Sequence, residues 1–202
     1  MNYEEAGVSR LAYSRVLLAS LAWMAHRQND PMSFYTLTEK GAELRVKEGR
    51  NSFYRILYQL ENAVAGGKGW DEHARFPEFQ QKQKELLIVV SDLLQAGGEW
   101  VNLVKKAASP HRQILVFQVL GCQELEFNLE GFYRFKDLET GSELELEAES
   151  IRKEFRAAFN TYLAGLEEEL QLPYVHLVRA ALNRPLAGVI AEGLKTLSRW
   201  SF

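Results

Sequence analysis

Two runs of consecutive apolar residues, 86–90 (LLIVV) and 114–120 (ILVFQVL), constrain this chain more than any other feature. Each is too short for a helix core and neither alternates, so each suits a strand covered on both faces. Between them Trp100, Leu103, Val104 and Ala107 mark the apolar side of a helix that Ser109 and Pro110 end. A strand, a helix and a second buried strand in that order predict a parallel sheet with helices on both faces.

The flanking sequence extends the pattern. Residues 9–28 read as a helix apolar on most of its surface, with Ser9 as N-cap and Asp30-Pro31 as the break. Residues 32–38 (MSFYTLT) read as a strand, Lys40-Gly41 as a turn and AELRV as a second short strand. Phe53, Ile56, Leu57, Leu60 and Val64 share one face of a helix that stops at Gly66-Gly67. Residues 66–83 predict a short helix between loops. Residues 124–147 alternate around Thr140-Gly141 and predict an antiparallel hairpin inserted in the α/β frame. A long helix carrying Ile151, Phe155, Phe159, Tyr162, Leu163, Leu166 and Leu170 runs to Pro173. Residues 174–178 (YVHLV) form a last strand and 185–197 a terminal helix. No repeat or linker divides the chain, so residues 1–202 are expected to form one domain.

Composition removes several function classes. The net charge of −3 argues against a nucleic-acid surface, which carries a basic stripe. One cysteine, Cys122, excludes an internal disulfide; it could serve as a nucleophile and reads more simply as a small, partly buried residue. The acidic start MNYEEAGVSR is not a signal peptide, and no apolar run reaches the roughly 20 residues of a membrane span. The expected location is cytoplasmic. His26, His73, His111 and His176 stand at no metal-ligand spacing. His73 beside Asp71 and Glu72 allows acid–base chemistry on paper and reads more simply as a solvated loop. Gly66-Gly67-Lys68-Gly69 follows a helix instead of a strand and lacks phosphate-loop spacing. Trp100 reads as core, Trp70 as an exposed aromatic fit to anchor a partner, and Trp200 as a cover for the sheet. The run 143–149 (ELELEAE) reads as a strand with one wet face or as an acidic edge for a basic partner.

The stretch ELEFNLEGFYRFKDLETG, with Phe135, Asp137, Glu139, Thr140 and Gly141, resembles the hallmark of the bacterial family called domain of unknown function fifty-eight. VVSDLL and SRLAYSRVLLASLAWMAHRQND resemble that family's Ser-Asp strand end and first helix. The resemblance implies a fold similar to von Willebrand factor A domains and gene neighbours encoding MoxR-type AAA+ ATPases. It also implies a first strand ending in Asp-x-Ser-x-Ser, a loop that in metal-binding members holds Mg²⁺ through oxygen ligands.

This sequence departs from that pattern. Asp-x-Ser-x-Ser is absent, and Met1 matches the methionine just after it. Lys68 stands where a metal-site threonine is expected, and an ammonium there repels a cation. Asp92 alone occupies a matching position and reads as a loop carboxylate. No metal or other cofactor is expected, with Mg²⁺ returning only if an Asp-x-Ser-x-Ser segment lies upstream. The absent strand belongs in mid-sheet, between residues 32–38 and 86–90. An upstream extension, direct closure of the flanking strands, or a strand exchanged with another chain in an oligomer would each resolve it. The expected function is a non-enzymatic adaptor, with a MoxR-type AAA+ ATPase as partner, binding through Asp92, Lys68, Trp70, Asp137 and Glu139. The alternative is a hydrolase using Asp92 or His73.

Overall fold

The computed structural model describes residues 1, 3–38, 40–66, 75–77, 84–94, 98–136 and 143–197. The chain opens on a small hairpin, β1 (Glu4–Glu5) and β2 (Val8–Ser9), turned by Ala6 and Gly7 at φ 50° and 78°. Two successive left-handed residues make a turn that matches the twist of the strands they join. Ser9 then caps α1 (Arg10–Gln28), its Oγ accepting the Ala12 N–H at 3.0 Å. The helix stops at Asn29, left-handed at φ 59°, just ahead of the expected Asp30-Pro31 break.

β3 (Phe34–Thr38) and β4 (Gly41–Val46) pair antiparallel with each other, and Arg75 forms a parallel bridge to Gly41. This corrects the reading of residues 32–38 as part of the parallel alternation. A two-residue link brings the chain straight back, and parallel pairing requires a long crossover. α2 (Ser52–Glu61) ends earlier than expected, at Asn62, whose Nδ2 donates to the Tyr58 carbonyl at 2.8 Å and caps the ladder there. Val64 lies past that end and is exposed instead of sharing the apolar face. The short helix expected within residues 66–83 lies largely outside the described residues.

The central sheet follows. β5 (Glu85–Ser91), α3 (Gly98–Ala107) and β6 (Arg112–Leu120) confirm the strand–helix–strand unit. Residues 122–126, of which 124–126 were expected at the start of the inserted hairpin, form a short helix instead, α4 (Cys122–Glu126). The Glu124 carboxylate accepts the Gly121 N–H at 2.7 Å, and that bond starts a helical turn where alternation alone suggested a strand. The hairpin begins later, as β7 (Phe132–Lys136) and β8 (Glu143–Glu147), antiparallel as expected. α5 (Ala148–Glu169), β9 (Val175–Ala181) and α6 (Leu186–Leu197) complete the order. β5, β6 and β9 form one parallel sheet in the order β5-β6-β9. The protein is thus a mixed α/β fold with helices on both sheet faces.

The two faces sort by strand alternation. Leu115, Phe117 and Val119 of β6 join Val178 and Ala180 of β9 under Tyr13, Leu17 and Leu21 of α1 and Val189 and Leu197 of α6. Ile114 and Val116 face the other way, with Val89, Trp100 and Val104, against Leu166 and Leu170. Trp100 is core, as its helical position predicts, while its indole Nε1 is buried without a partner among the described residues. A third cluster, Val46, Ile56 and Leu60, holds the β3–β4 hairpin under α2, and Leu18, Ala19 and Ala22 of α1 pack on it. Val16 and Trp23 of α1 are half-exposed, so that helix is less enclosed than its composition suggests. Among the described residues no helix is long and apolar enough to cross a membrane.

Gly193 shows how closely α6 lies on the sheet. A Cβ there would meet Phe117 Cζ at 2.8 Å and Leu115 Cδ2 at 3.3 Å. Gly193→Val is expected to cost about 1–3 kcal/mol by overpacking, and Phe117→Leu in the same chain to restore part of it. Urea unfolding of the two single variants and the double variant measures both; additive losses would mean the ring is not what the new side chain meets. His176 and Gln113 lie side by side in the same layer, His176 Nε2 being 2.9 Å from Gln113 Oε1. Burial holds the His176 imidazole below its usual titration range. With the folded pKa depressed, its contribution is fully present above about pH 6.5 and falls away as pH drops through the folded value. A His176→Asn variant should show a smaller fall in Tm between about pH 7 and 5 than the parent.

Candidate functional site

Side chains that point toward α1 from β5 are Leu86, Ile88 and Val90, and Asp92 continues that series one step beyond the strand end. There it meets Arg10, the first residue of α1. Arg10 is 3% exposed. Its Nη1 donates to Asp92 Oδ2 at 3.0 Å, and its Nη2 donates to Glu124 Oε1. The Met1 amino group lies 2.7 Å from the same Asp92 oxygen. Glu124 is held from behind by the Gly121 N–H, so both carboxylates are fixed by the chain ends of β5 and β6. The Tyr3 ring lies under the guanidinium, 4.8 Å from Cζ to its centroid. Among the described residues Arg10 Nε is buried without a partner.

A second layer ties this cluster to the sheet. Gln118, fully buried at the end of β6, donates from Nε2 to the Asp92 carbonyl at 3.3 Å and accepts from Arg179 Nε at 3.4 Å. Arg179 of β9 also reaches the Leu163 carbonyl at 2.7 Å and Glu167 at 3.0 Å. The Tyr162 hydroxyl donates to the Leu93 carbonyl, and Leu93 itself is left-handed at φ 56°. Three strands therefore bring Asp92, Gln118 and Arg179 to one end of the sheet, where open α/β sheets bind ligands.

The protonation states are settled by surroundings. Burial first, then the neighbouring Glu5 and Glu124 carboxylates, push the Tyr3 phenol far above its usual range. Burial with Asp92 and Glu169 raises Tyr162 likewise. Burial raises the Cys122 thiol, with Glu5 and Glu126 adding to the shift against a backbone hydrogen bond at Asn183. All three groups are therefore protonated near neutral pH. Ser91 Oγ accepts the Leu93 N–H at 3.1 Å.

The residues around Asp92 do not fit Mg²⁺. Its Oδ2 is taken by the Arg10 guanidinium, which repels a dication and supplies no oxygen ligand. No group of three His, Cys, Asp or Glu side chains among the described residues could hold a metal ion. Of the residues expected from sequence to bind, Asp92 is placed at this cluster. Lys68, Trp70, Asp137 and Glu139 lie outside the described residues, as do His73 and Trp200. Sequence reasoning missed Arg10, Glu124, Gln118 and Arg179. Gln118 carried a signal, being the one polar residue in the apolar run 114–120; a lone arginine opening a helix carries none.

Removing Arg10 leaves two part-buried carboxylates facing each other. Arg10→Ala is expected to cost about 3–5 kcal/mol, as for other broken buried ion pairs, and Arg10→Met less because it keeps the packing. Denaturant unfolding reads the difference; a loss below about 1 kcal/mol would place the cluster with weak surface pairs.

The model of a protein family of unknown function, DUF58, matches residues 7–164. No curated protein matches the chain. Two solved structures share its fold. The conserved hypothetical protein BatB from Bacteroides thetaiotaomicron is 13% identical with a TM-score of 0.52, over 95% of this chain and 89% of that one. An aerotolerance-related membrane protein from Bacteroides fragilis, carrying multiple mutations to serine, is 15% identical with a TM-score of 0.52, over 93% and 89%.

Proposed function

Since the chain belongs to DUF58, a protein family of unknown function, we propose that it is a non-catalytic interaction module that presents a partner surface at the carboxyl ends of β5, β6 and β9. The observation that carries this reading is the mutual engagement of the charged groups there. Arg10 holds Asp92 and Glu124, Gln118 holds the Asp92 backbone, and Arg179 holds Gln118. Groups committed to one another make a rigid frame, and the tyrosines and cysteine nearby are held protonated near neutral pH. A nucleophile, base and orienter in mutual reach would have favoured the hydrolase. In this reading the partner is a MoxR-type AAA+ ATPase met in the cytoplasm, through contacts that need no shared metal ion. Lys68, Trp70, Asp137 and Glu139 enter it on sequence alone.

The same reading assigns the chain a von Willebrand factor A-like architecture in which a further strand lies against β5. Support comes from β5 itself. Its residues pack into both cores, yet among the described residues it pairs only with β6. Edge strands are ordinarily blunted by charges, proline or bulges, and LLIVV has none of these. The β3–β4 hairpin sits close by. Leu37 packs on the core that β5 lines, and α1 touches both the sheet cluster and the hairpin cluster. In this reading one extended segment pairs with the edge of β5, supplied either by the same polypeptide or by exchange in an oligomer.

The test uses the purified chain with a purified MoxR-type ATPase from the same genome. Binding measured by interferometry should persist in EDTA. It should fall about tenfold or more in Leu94→Arg, which charges an apolar, 38% exposed side chain just past β5 without touching the Arg10 cluster. Binding abolished by EDTA, or unchanged in Leu94→Arg, would refute the reading.

A further inference from the structure

A groove of about 630 Å³ lies between the hairpin and α2, far along the chain from the strand-end cluster. Arg45 of β4 forms one wall; Asn51, Tyr54, Arg55, Tyr58 and Gln59 form the other. α2 turns Phe53, Ile56 and Leu60 into the core, so helical spacing puts Tyr54, Arg55 and Tyr58 on the outside. Tyr54 and Tyr58 are 66% and 63% exposed, unusual for two large rings one helical turn apart. All six lining side chains have hydrogen-bond donors, and none is a carboxylate. Arg45 is held in place by Nε to Thr36 Oγ1 at 2.7 Å and Nη2 to Glu43 at 2.8 Å, which among the described residues leaves its Nη1 edge for another acceptor. From Gly41 to Gln59 the chain carries Arg45, Lys47, Arg50 and Arg55 against Glu43 and Glu48, a local positive excess in a protein of net charge −3.

Shape and charge together select the ligand. The rings stand open to solvent on one side, whereas a small-molecule site encloses most of its ligand. Two arginines with flanking Glu43 and Glu48 make too short a basic track for a nucleic acid, which needs a run of phosphate contacts. Exposed tyrosine and arginine side by side are instead the composition of protein-recognition hot spots.

We propose that the groove docks an acidic peptide segment of a partner protein, with carboxylates on Arg45 and Arg55 and apolar side chains laid on Tyr54 and Tyr58. This site is independent of the strand-end surface.

The probe is a fluorescein-labelled peptide of alternating Glu and Leu, read by anisotropy against the full chain, with the Gln-for-Glu peptide as control. The Glu peptide is expected to bind in a salt-sensitive manner and the Gln peptide much more weakly. Arg55→Glu and Tyr58→Ala, both exposed and outside the core, should each weaken binding about tenfold with Tm unchanged. Several results would overturn the proposal: no binding of the Glu peptide, equal binding of the Gln peptide, or wild-type affinity in both variants. So would tighter binding of a single-stranded oligonucleotide, or displacement of the peptide by inorganic phosphate at low concentration. Concentration-dependent self-association in sedimentation that Arg55→Glu abolishes would overturn it in favour of a second copy as the occupant.

Discussion

Nine consecutive residues of β6, Arg112–Leu120, are withdrawn from water, and each remaining element is placed by how it covers them. A strand buried on both faces needs backbone partners on both edges, because an unpaired buried amide or carbonyl costs about 1–3 kcal/mol. β5 and β9 supply those partners. Its two faces then need apolar cover, which α1 and α6 supply on one side and α3 and α5 on the other. The polar residues of β6 sit toward its two ends, Arg112 and Gln113 at the start and Gln118 near the finish, where side chains can reach partners beyond the apolar layers.

Burying Arg10 adds a cost that only its partners offset. A guanidinium in the interior is tolerated when its hydrogen bonds are made with carboxylates that are themselves fixed. Asp92 and Glu124 qualify because one follows the end of β5 and the other is held by the Gly121 amide. The arrangement ties the first turn of α1 to two strand ends at once. A cationic side chain thereby occupies the space beside Asp92, and the neighbourhood of Asp92 has the character of a structural joint.

Much of the frame was legible in the sequence. LLIVV and ILVFQVL declared buried strands through continuous apolarity, and Trp100 declared the core side of α3 through its spacing. The β7–β8 hairpin was visible in alternation around Thr140-Gly141. Errors fell where local hydrogen bonds decide. Glu124 turned an apparent strand into α4 by bonding Gly121, and Asn62 ended α2 before its apolar pattern ran out. The pairing of residues 34–38 was misread because periodicity identifies a strand without naming its neighbour; the two-residue link to β4 held that information. The site was less legible still. Asp92 was singled out by the resemblance of VVSDLL to the family's Ser-Asp strand end, but Arg10, 82 residues away along the chain, and Glu124 lie on other elements and meet it only in the fold.

The bonds between β5 and β6 have a consequence for how the sheet finds its alignment. Arg112 grips Glu85 through two bonds, 2.9 and 3.2 Å long, at one end, and Gln118 reaches the Asp92 backbone at the other. Two apolar strands of such uniform composition could slide past one another with little loss of contact. A slip of one step would turn Ile114 and Val116 toward α1 and part both polar pairs together. Fixed at head and tail like a ruler against two stops, the strands have one position in which every charge at their ends is answered, and that position also delivers Asp92 to Arg10.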